Sequence, residues 1–508
     1  MTTMPVNVNC IISESVAATN LGAELGKLKL EYNDGEATPF ELLDCFDQSI
    51  RKSGRVLIRV NETLQLLQGD GAVLAQQCNK QAGLVSALAD GQVKRALTFV
   101  SPLRSLLVVG KGKLHYCRMV AVDDDHKTHV RAHFQRFQVE GGDRQITLAT
   151  LQALRGYDSA YEALRLHIAN LNVESVGDIA SMYTRLIADY EEYDPKPEIT
   201  ISRDELAFQA ANDIVSTYIG VARLNEQGII SDSDTEFLHD YRVSLRKVRS
   251  VISLFKGVYE QNQTLKLKQI FSALMAPTGR LRDLDVYFLE HDQYYDILPE
   301  SLHDGLDIMF DLFAKERNYQ HKSMIKRLKS SAYTESINEM ATLFSSSTGL
   351  EQGPNADRSA WDYACELIWK RYRKVCKIAR AIDKNTEDEE VHELRIHCKK
   401  LRYLMEFFSP LFSNRKIKSL IKPLKNLQDN LGLFNDYSVQ QVSMQEFLTN
   451  HVSRGREQDL TVAKSVGAII SILHQQQLTE RALVVSNFAV FDSEDVRQQF
   501  RQLFHRVG

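Results

Sequence analysis

At 508 residues the chain is too long for one ordinary hydrophobic core, so two or three domains are expected. Its 44% hydrophobic and 25% charged residues are those of a folded soluble protein rather than a disordered or fibrous one. The formal net charge of −4 excludes a uniformly basic surface, yet a near-neutral sum can hide basic stretches, so charge is read locally.

The seven cysteines Cys10, Cys45, Cys78, Cys117, Cys365, Cys376 and Cys398 are scattered without a CxxC pair. That spacing argues against a disulfide framework and against a zinc site, and fits reduced, packed thiols in the cytoplasm. MTTMPVNVNC has no basic segment followed by an apolar core, and no run of about 18 apolar residues occurs, so no membrane insertion is expected.

Residues 1–190 read as a β-rich domain. Short alternating runs recur at 54–69, 93–100, 103–122 and 127–142, and the polar DDDH between the last two is a turn candidate. A few helices are expected among them, at PFELLDCFDQSIRKS (39–53) and ALADGQVKRAL. The segment 191–202, acidic and with two prolines, reads as a linker. From 203 to 508 nearly everything has helical period, interrupted by SSSTGLEQGPNADRS (345–359), which divides the region into halves at 203–344 and 359–508.

The halves repeat each other. Shifted by 153 residues, His239 falls on His392, Arg242 on Arg395, Arg246 on Lys399, Lys247 on Lys400, Arg249 on Arg402 and Phe255 on Phe408. Without a gap, Leu267 then meets Leu420, Gly279 meets Gly432 and Asp283 meets Asp436; upstream, Phe208 meets Trp361. Agreement of charged and apolar positions at one offset marks a duplicated helical unit.

In both copies the cations recur at steps of three and four, which stacks them along one helix face. A solvated face is the ordinary reading of a charge run, but ordinary surfaces mix signs, and only Asp240 and Glu393 are acidic within the first eleven residues from His239 and His392. A like-charged row kept in both copies costs stability unless an anion compensates it. More basic rows lie nearby: KRYRKVCKIAR with Lys370, Arg373, Lys374 and Lys377 on one face, RKIKSLIKPLK with Lys422 and Lys425, and Lys322, Lys326 and Lys329. Two bundles related by a pseudo-twofold would bring equivalent stripes together as a basic groove or channel. No GxGxxG or GxxxxGK[ST] loop is present for a single phosphate or nucleotide. Helical Lys and Arg arrays suit a flexible chain of closely spaced charges, held by many ion contacts. Aromatic residues are few in these rows, which favours an inorganic polyanion over single-stranded nucleic acid.

HDYRVSLRKVRSVISLF and HELRIHCKKLRYLMEFF, followed by GRLRDLDVY and LGLFNDYSV, resemble the two repeats of a CHAD domain, the conserved histidine α-helical domain, over roughly 203–500. The resemblance implies two four-helix bundles around a basic channel that binds inorganic polyphosphate, without catalysis and without a cofactor. It makes polyphosphate granules one place to expect the protein. The implied contacts are His239, Arg242, Arg246, Lys247 and Arg249 with His392, Arg395, Lys399, Lys400 and Arg402. Arg280 and Arg282 join them in the first copy, where the second has Leu433 and Asn435. His239 and His392 are expected as phosphate-facing donors, because a nearby polyanion favours the charged imidazole. Neither copy carries a second metal ligand four residues on, so no metal site is expected. Asp283 and Asp436 read as partners of arginines rather than catalytic acids.

CHAD domains often follow a CYTH domain, a triphosphate-tunnel β-barrel, and 103–142 with LRGYDSAYEAL (154–164) is similar to the end of one. The ExExK strand that would hold a metal is missing: KLKLEYND (27–34) offers only Glu31 and Asp34. A degenerate, non-catalytic domain is therefore expected, with Arg55, Arg59, Lys94, Arg104, Arg118 and Arg131 as its basic residues. The alternative is a metal-dependent inorganic triphosphatase.

Overall fold

The structure, a computed structural model, describes residues 8–13, 22–78, 83–141, 144–170, 173–188, 190, 192–383, 385–451 and 457–505. The first seven residues, and Glu191 at the start of the expected linker, lie outside these. The chain forms two compact units, Met1–Pro195 and Lys196–Gly508.

The first unit runs β1 (Val8–Ser13), β2 (Glu24–Leu25), β3 (Leu28–Asp34), β4 (Thr38–Cys45), α1 (Ser49–Lys52), β5 (Val56–Val60), β6 (Thr63–Leu67), β7 (Val73–Gln77), α2 (Gln92–Ala96), β8 (Leu106–Val122), β9 (Thr128–Val139), β10 (Gln145–Ala153), α3 (Asp158–Ala169), β11 (Val173–Val176) and α4 (Met182–Leu186). All strands join one curled antiparallel sheet ordered β11-β1-β10-β9-β8-β4-β5-β6-β7, with β3 also on β8 and β2 on β3. The long β8–β9 hairpin follows from the alternation at 106–139. Its turn is closed by Asp123, whose carboxylate accepts from the amides of Asp125 and Lys127 at 3.1 and 2.9 Å. One apolar face packs Met119, Ala132 and Leu151 against Leu164 and Ile168 of α3. Another core joins Phe40, Ile58, Leu114 and Phe137 to Met182, Tyr183 and Leu186 of α4.

The expected helix at 39–53 begins as a strand, which runs to Cys45. Phe40 to Leu43 pair with β5 on one side and β8 on the other, so two ladders outweigh local helical preference and leave one turn, α1. The run at 93–100 opens inside α2 rather than a strand.

The second unit runs α5 (Ala207–Leu224), α6 (Glu226–Ser231), α7 (Thr235–Leu254), α8 (Gln261–Met275), α9 (Gly279–Leu289), α10 (His291–Asp296), α11 (His303–Leu328), α12 (Ser331–Ser346), α13 (Ala360–Ala379), α14 (Asp388–Phe407), α15 (Asn414–His451), α16 (Glu457–Phe491) and α17 (Glu494–Phe504). Side-chain caps mark the starts of α7 and α13: Asp234 accepts from the amides of Glu236 and Phe237, and Ser359 from that of Asp362.

The 153-residue offset reappears in the helices. Adding it to 207, 235 and 261, where α5, α7 and α8 begin, yields 360, 388 and 414, where α13, α14 and α15 begin. After the α8 and α15 starts the copies diverge. Pro277 ends α8 in a tight turn, Ala276–Thr278, before α9; its counterpart is Asn430, and α15 continues unbroken to His451.

Residues also meet their own counterparts. Phe255 stacks on Phe408 at 4.8 Å and 10°, and Leu206 bridges Ser359. Around that bridge Ala207 donates to the Arg358 carbonyl at 2.8 Å while Ala360 donates to the Glu205 carbonyl at 2.7 Å. Such reciprocal pairs define a pseudo-twofold axis. Across it, α5, α7, α8 and α12 pack as one bundle and α13, α14, α15 and α17 as the other. Elements of both copies share a further core, in which Leu284 and Tyr287 of α9 and Met309 and Phe313 of α11 meet Met444 and Phe447 of α15 and Val466 and Ile469 of α16.

Candidate polyanion-binding site

Helix α7 carries His239, Arg242, Arg246, Lys247 and Arg249; α14 carries His392, Arg395, Lys399, Lys400 and Arg402; and the two helices pack together. Arg246 acts electrostatically on both Arg395 and Lys399 across the seam. Lys399, half-buried, has its pKa pushed down to about 8 by burial and then by Arg395, Arg246 and Arg402, with Asp436 opposing. Burial likewise lowers the pKa of Arg242 and Arg395, and each has a neighbouring cation adding to it, with Asp283 and Asp436 as the opposing carboxylates. Five cations thus converge on a low-dielectric seam.

Their hydrogen bonds are incomplete. Arg242 donates through Nη1 to the Thr278 hydroxyl. Arg395 reaches Asp436 through Nη2 at 3.4 Å, but its buried Nε has no hydrogen-bond partner. Arg402 donates to Glu406 at 2.6 Å and to the Gln428 oxygen at 3.2 Å, and the buried Nε2 of Gln428 is also unpartnered. Orphan donors beside concentrated positive charge suit an anionic acceptor. His392 places Nδ1 2.6 Å from the Asn435 oxygen, so its other ring nitrogen is free of that contact. Thr278, Gln428 and Asn435 are contacts that residue spacing alone did not single out; neutral side chains give no charge signal.

Other basic residues expected at the site have partners or positions of their own. Lys247 is 7% exposed and donates to the Tyr218 hydroxyl at 2.8 Å, with its ammonium 4.1 Å from the ring centre. Its counterpart Lys400 lies on the same reverse face, near Arg371 and Lys256. Arg280 is taken up in a two-pronged pair with Glu316, both bonds 2.6 Å, and stands over Phe313. Arg282 points Nη1 to the Thr235 carbonyl at 3.5 Å, and Arg249 leans on the Met275 sulfur. Lys422 and Lys425 are exposed on α15, roughly two turns and one turn before Gln428. Lys370, Arg373, Lys374 and Lys377 line a separate cleft of about 850 Å³ between α13 and α17.

In the first unit the basic residues are held locally. Arg59 and Lys111 both pair with Glu41, Arg55 donates to the Ala96 carbonyl at 2.8 Å, Lys94 pairs with Asp90 at 3.1 Å, and Arg104 is buried beside Phe46. Arg118 and Arg131 are exposed on β8 and β9, and Glu31, half-exposed on β3, has His126 at 3.7 Å. Among the described residues no three His, Cys, Asp or Glu side chains gather where a metal ion could be held, and no helix is long and apolar enough to cross a membrane.

The family model of the CHAD domain matches residues 214–445, which contain both stripes and the seam between them. Similar solved structures include the CHAD domain from the plant Ricinus communis, 23% identical with a TM-score of 0.49 over 59% of this chain and 96% of that one. Another is PptA from Streptomyces chartreusis, 12% identical with a TM-score of 0.43 over 56% of this chain and 99% of that one. No curated protein matches the chain. Residues 214–445 of the duplicated helical unit are a CHAD domain.

Proposed function

We propose that the helical unit binds inorganic polyphosphate along the seam between α7 and α14 and performs no chemistry on it. The family is linked to polyphosphate binding. The observation that carries the reading for this chain is the convergence of Arg246 on Arg395 and Lys399, with a buried guanidinium nitrogen of Arg395 left without an acceptor. A linear phosphate chain supplies an acceptor every few ångströms and offsets the mutual repulsion of the row without demanding one fixed geometry. Its affinity then comes largely from ion contacts, and should fall steeply with salt.

The test is retention of long-chain polyphosphate by the full chain and by Arg246→Glu/Arg395→Glu at fixed salt. The double variant should bind at least tenfold more weakly; unchanged binding would refute the proposal. A competing single-stranded oligonucleotide should displace polyphosphate poorly, since stacking platforms are few at the seam.

A further inference from the structure

A second basic feature lies apart from the seam. The cleft between α13 and α17 is lined by Lys370, Arg373, Lys374, Lys377 and Arg380 from one helix and Arg497 and Arg501 from the other, with Glu366 as its one acidic lining residue. Two of these cations are already engaged: Arg380 is held by Asp492 at 2.9 Å and Lys374 by Glu393 at 3.4 Å. Lys370, Arg373, Lys377, Arg497 and Arg501 are exposed, and none has an acidic partner among the described residues. Tyr372 and Trp369 form part of the wall, and the buried hydroxyl of Tyr372 lacks a hydrogen-bond partner of normal geometry.

The duplication shows that the bundle does not require this charge. The α5 and α6 positions matching Lys370, Arg373, Lys374, Lys377 and Arg380 are Thr217, Gly220, Val221, Leu224 and Gln227, and the first bundle folds without a cation at any of them. The cationic set therefore belongs to the second copy alone, in a region where it opposes itself.

We infer that the α13–α17 cleft is a second anion site, one that takes a run of three or more linked phosphates. Lys370, Arg373 and Lys377 recur about one helical turn apart, roughly 5 Å, and Arg497 and Arg501 repeat that step on the facing helix. Two rows of cations along a trough match a linear chain of phosphates, where a single phosphate would need donors converging on one point. A cavity of about 850 Å³ also exceeds one phosphate. The chain can come from free polyphosphate or from a nucleoside triphosphate, whose base would find the Trp369 ring at the wall. The site shares its ligand chemistry with the seam but none of its residues.

The experiment is calorimetric titration of the full chain with tripolyphosphate, and separately with ATP, at low salt. Wild type should show a class of sites that falls at least tenfold in affinity in Arg497→Glu/Arg501→Glu, and equally in Lys370→Glu/Arg373→Glu on the other wall. That class should survive in the seam variant Arg246→Glu/Arg395→Glu. Binding unchanged in both cleft variants overturns the inference whatever happens at the seam. If the seam variant also keeps its binding of long-chain polyphosphate while the cleft variants lose their class of sites, the function proposed above falls and this site stands. Tighter binding of ATP than of tripolyphosphate, reversed by Trp369→Ala, would mark a nucleotide as the source; tripolyphosphate binding as well or better would mark the free chain.

Discussion

Arg371 donates through Nη1 to Nδ1 of His397 across 2.7 Å, so that nitrogen must carry a lone pair and the imidazole must be neutral. The other nitrogen, Nε2, then bears the proton and lies 3.5 Å from Glu393. Burial first, then Arg371, Lys400 and Lys374, push the His397 pKa down to about 4, with Glu393 alone opposing. The counterparts of this pair in the first copy are Tyr218 and Ser244, so the imidazole has no equivalent there.

This pair predicts acid sensitivity. The unfolded chain carries a histidine near pH 6.5, the folded one near 4, so between these values the unfolded state holds more protons and stability falls as pH is lowered. The two values bound the loss at about 3 kcal/mol. His397→Gln keeps an acceptor for Arg371 and removes the titration. Its urea midpoint should fall less than that of wild type between pH 7 and pH 4.5, and parallel losses would disprove the assignment.

Periodicity revealed the duplication because helical period, charge and apolar positions all survive a rigid shift, and the coincident starts of α7 and α14 are its structural form. What a shift cannot show is direction. Lys247 occupies a stripe position yet turns to Tyr218, since the face that buries it depends on α5. Lys370 and Arg373 looked like neighbours of the seam; their partners, Arg497 and Arg501, form a short pair more than a hundred residues on, invisible as a row. Segment 39–53 failed for the same reason, its strand being set by β5 and β8 rather than by its own residues.

Lys399 predicts proton uptake on binding. With a pKa near 8 in the empty protein, it is largely neutral at pH 9, and a polyanion beside it favours the ammonium. Affinity for polyphosphate should therefore fall as pH rises through about 8. Calorimetry at pH 8.5 in two buffers of different ionisation enthalpy should report uptake of a fraction of a proton per site. Lys399→Arg, charged at every accessible pH, should bind with that uptake removed. Equal uptake in both proteins would exclude Lys399 as the group.

Neighbouring residues on α7 should behave oppositely. Arg246→Met removes the cation that acts on Arg395 and Lys399 and should weaken polyphosphate binding severalfold at little cost in stability, since Arg246 is exposed. Lys247→Met should leave binding within about twofold, because the ammonium is turned to the Tyr218 hydroxyl. A large binding defect in Lys247→Met would place that side chain in the site after all.

Arg280 differs from the seam cations in that its charge is paired within the fold. Its two 2.6 Å bonds to Glu316 join α9 to α11, and the pair is about one-third exposed at each end, 32% and 29%. Glu316 raises the Arg280 pKa, and Arg280 lowers that of Glu316, so each stabilises the ionised form of the other. Solvent screening keeps the contribution modest, so Arg280→Met should cost about 1–2 kcal/mol of unfolding free energy. Glu316→Gln frees Arg280 and should lose stability similarly, while polyphosphate affinity stays the same or rises, because a guanidinium close to the Asp283 end of the seam becomes available. Denaturant unfolding and polyphosphate titration on the two variants check both halves. A loss of polyphosphate affinity in Arg280→Met as large as in Arg246→Met would show that Arg280 leaves Glu316 for the ligand.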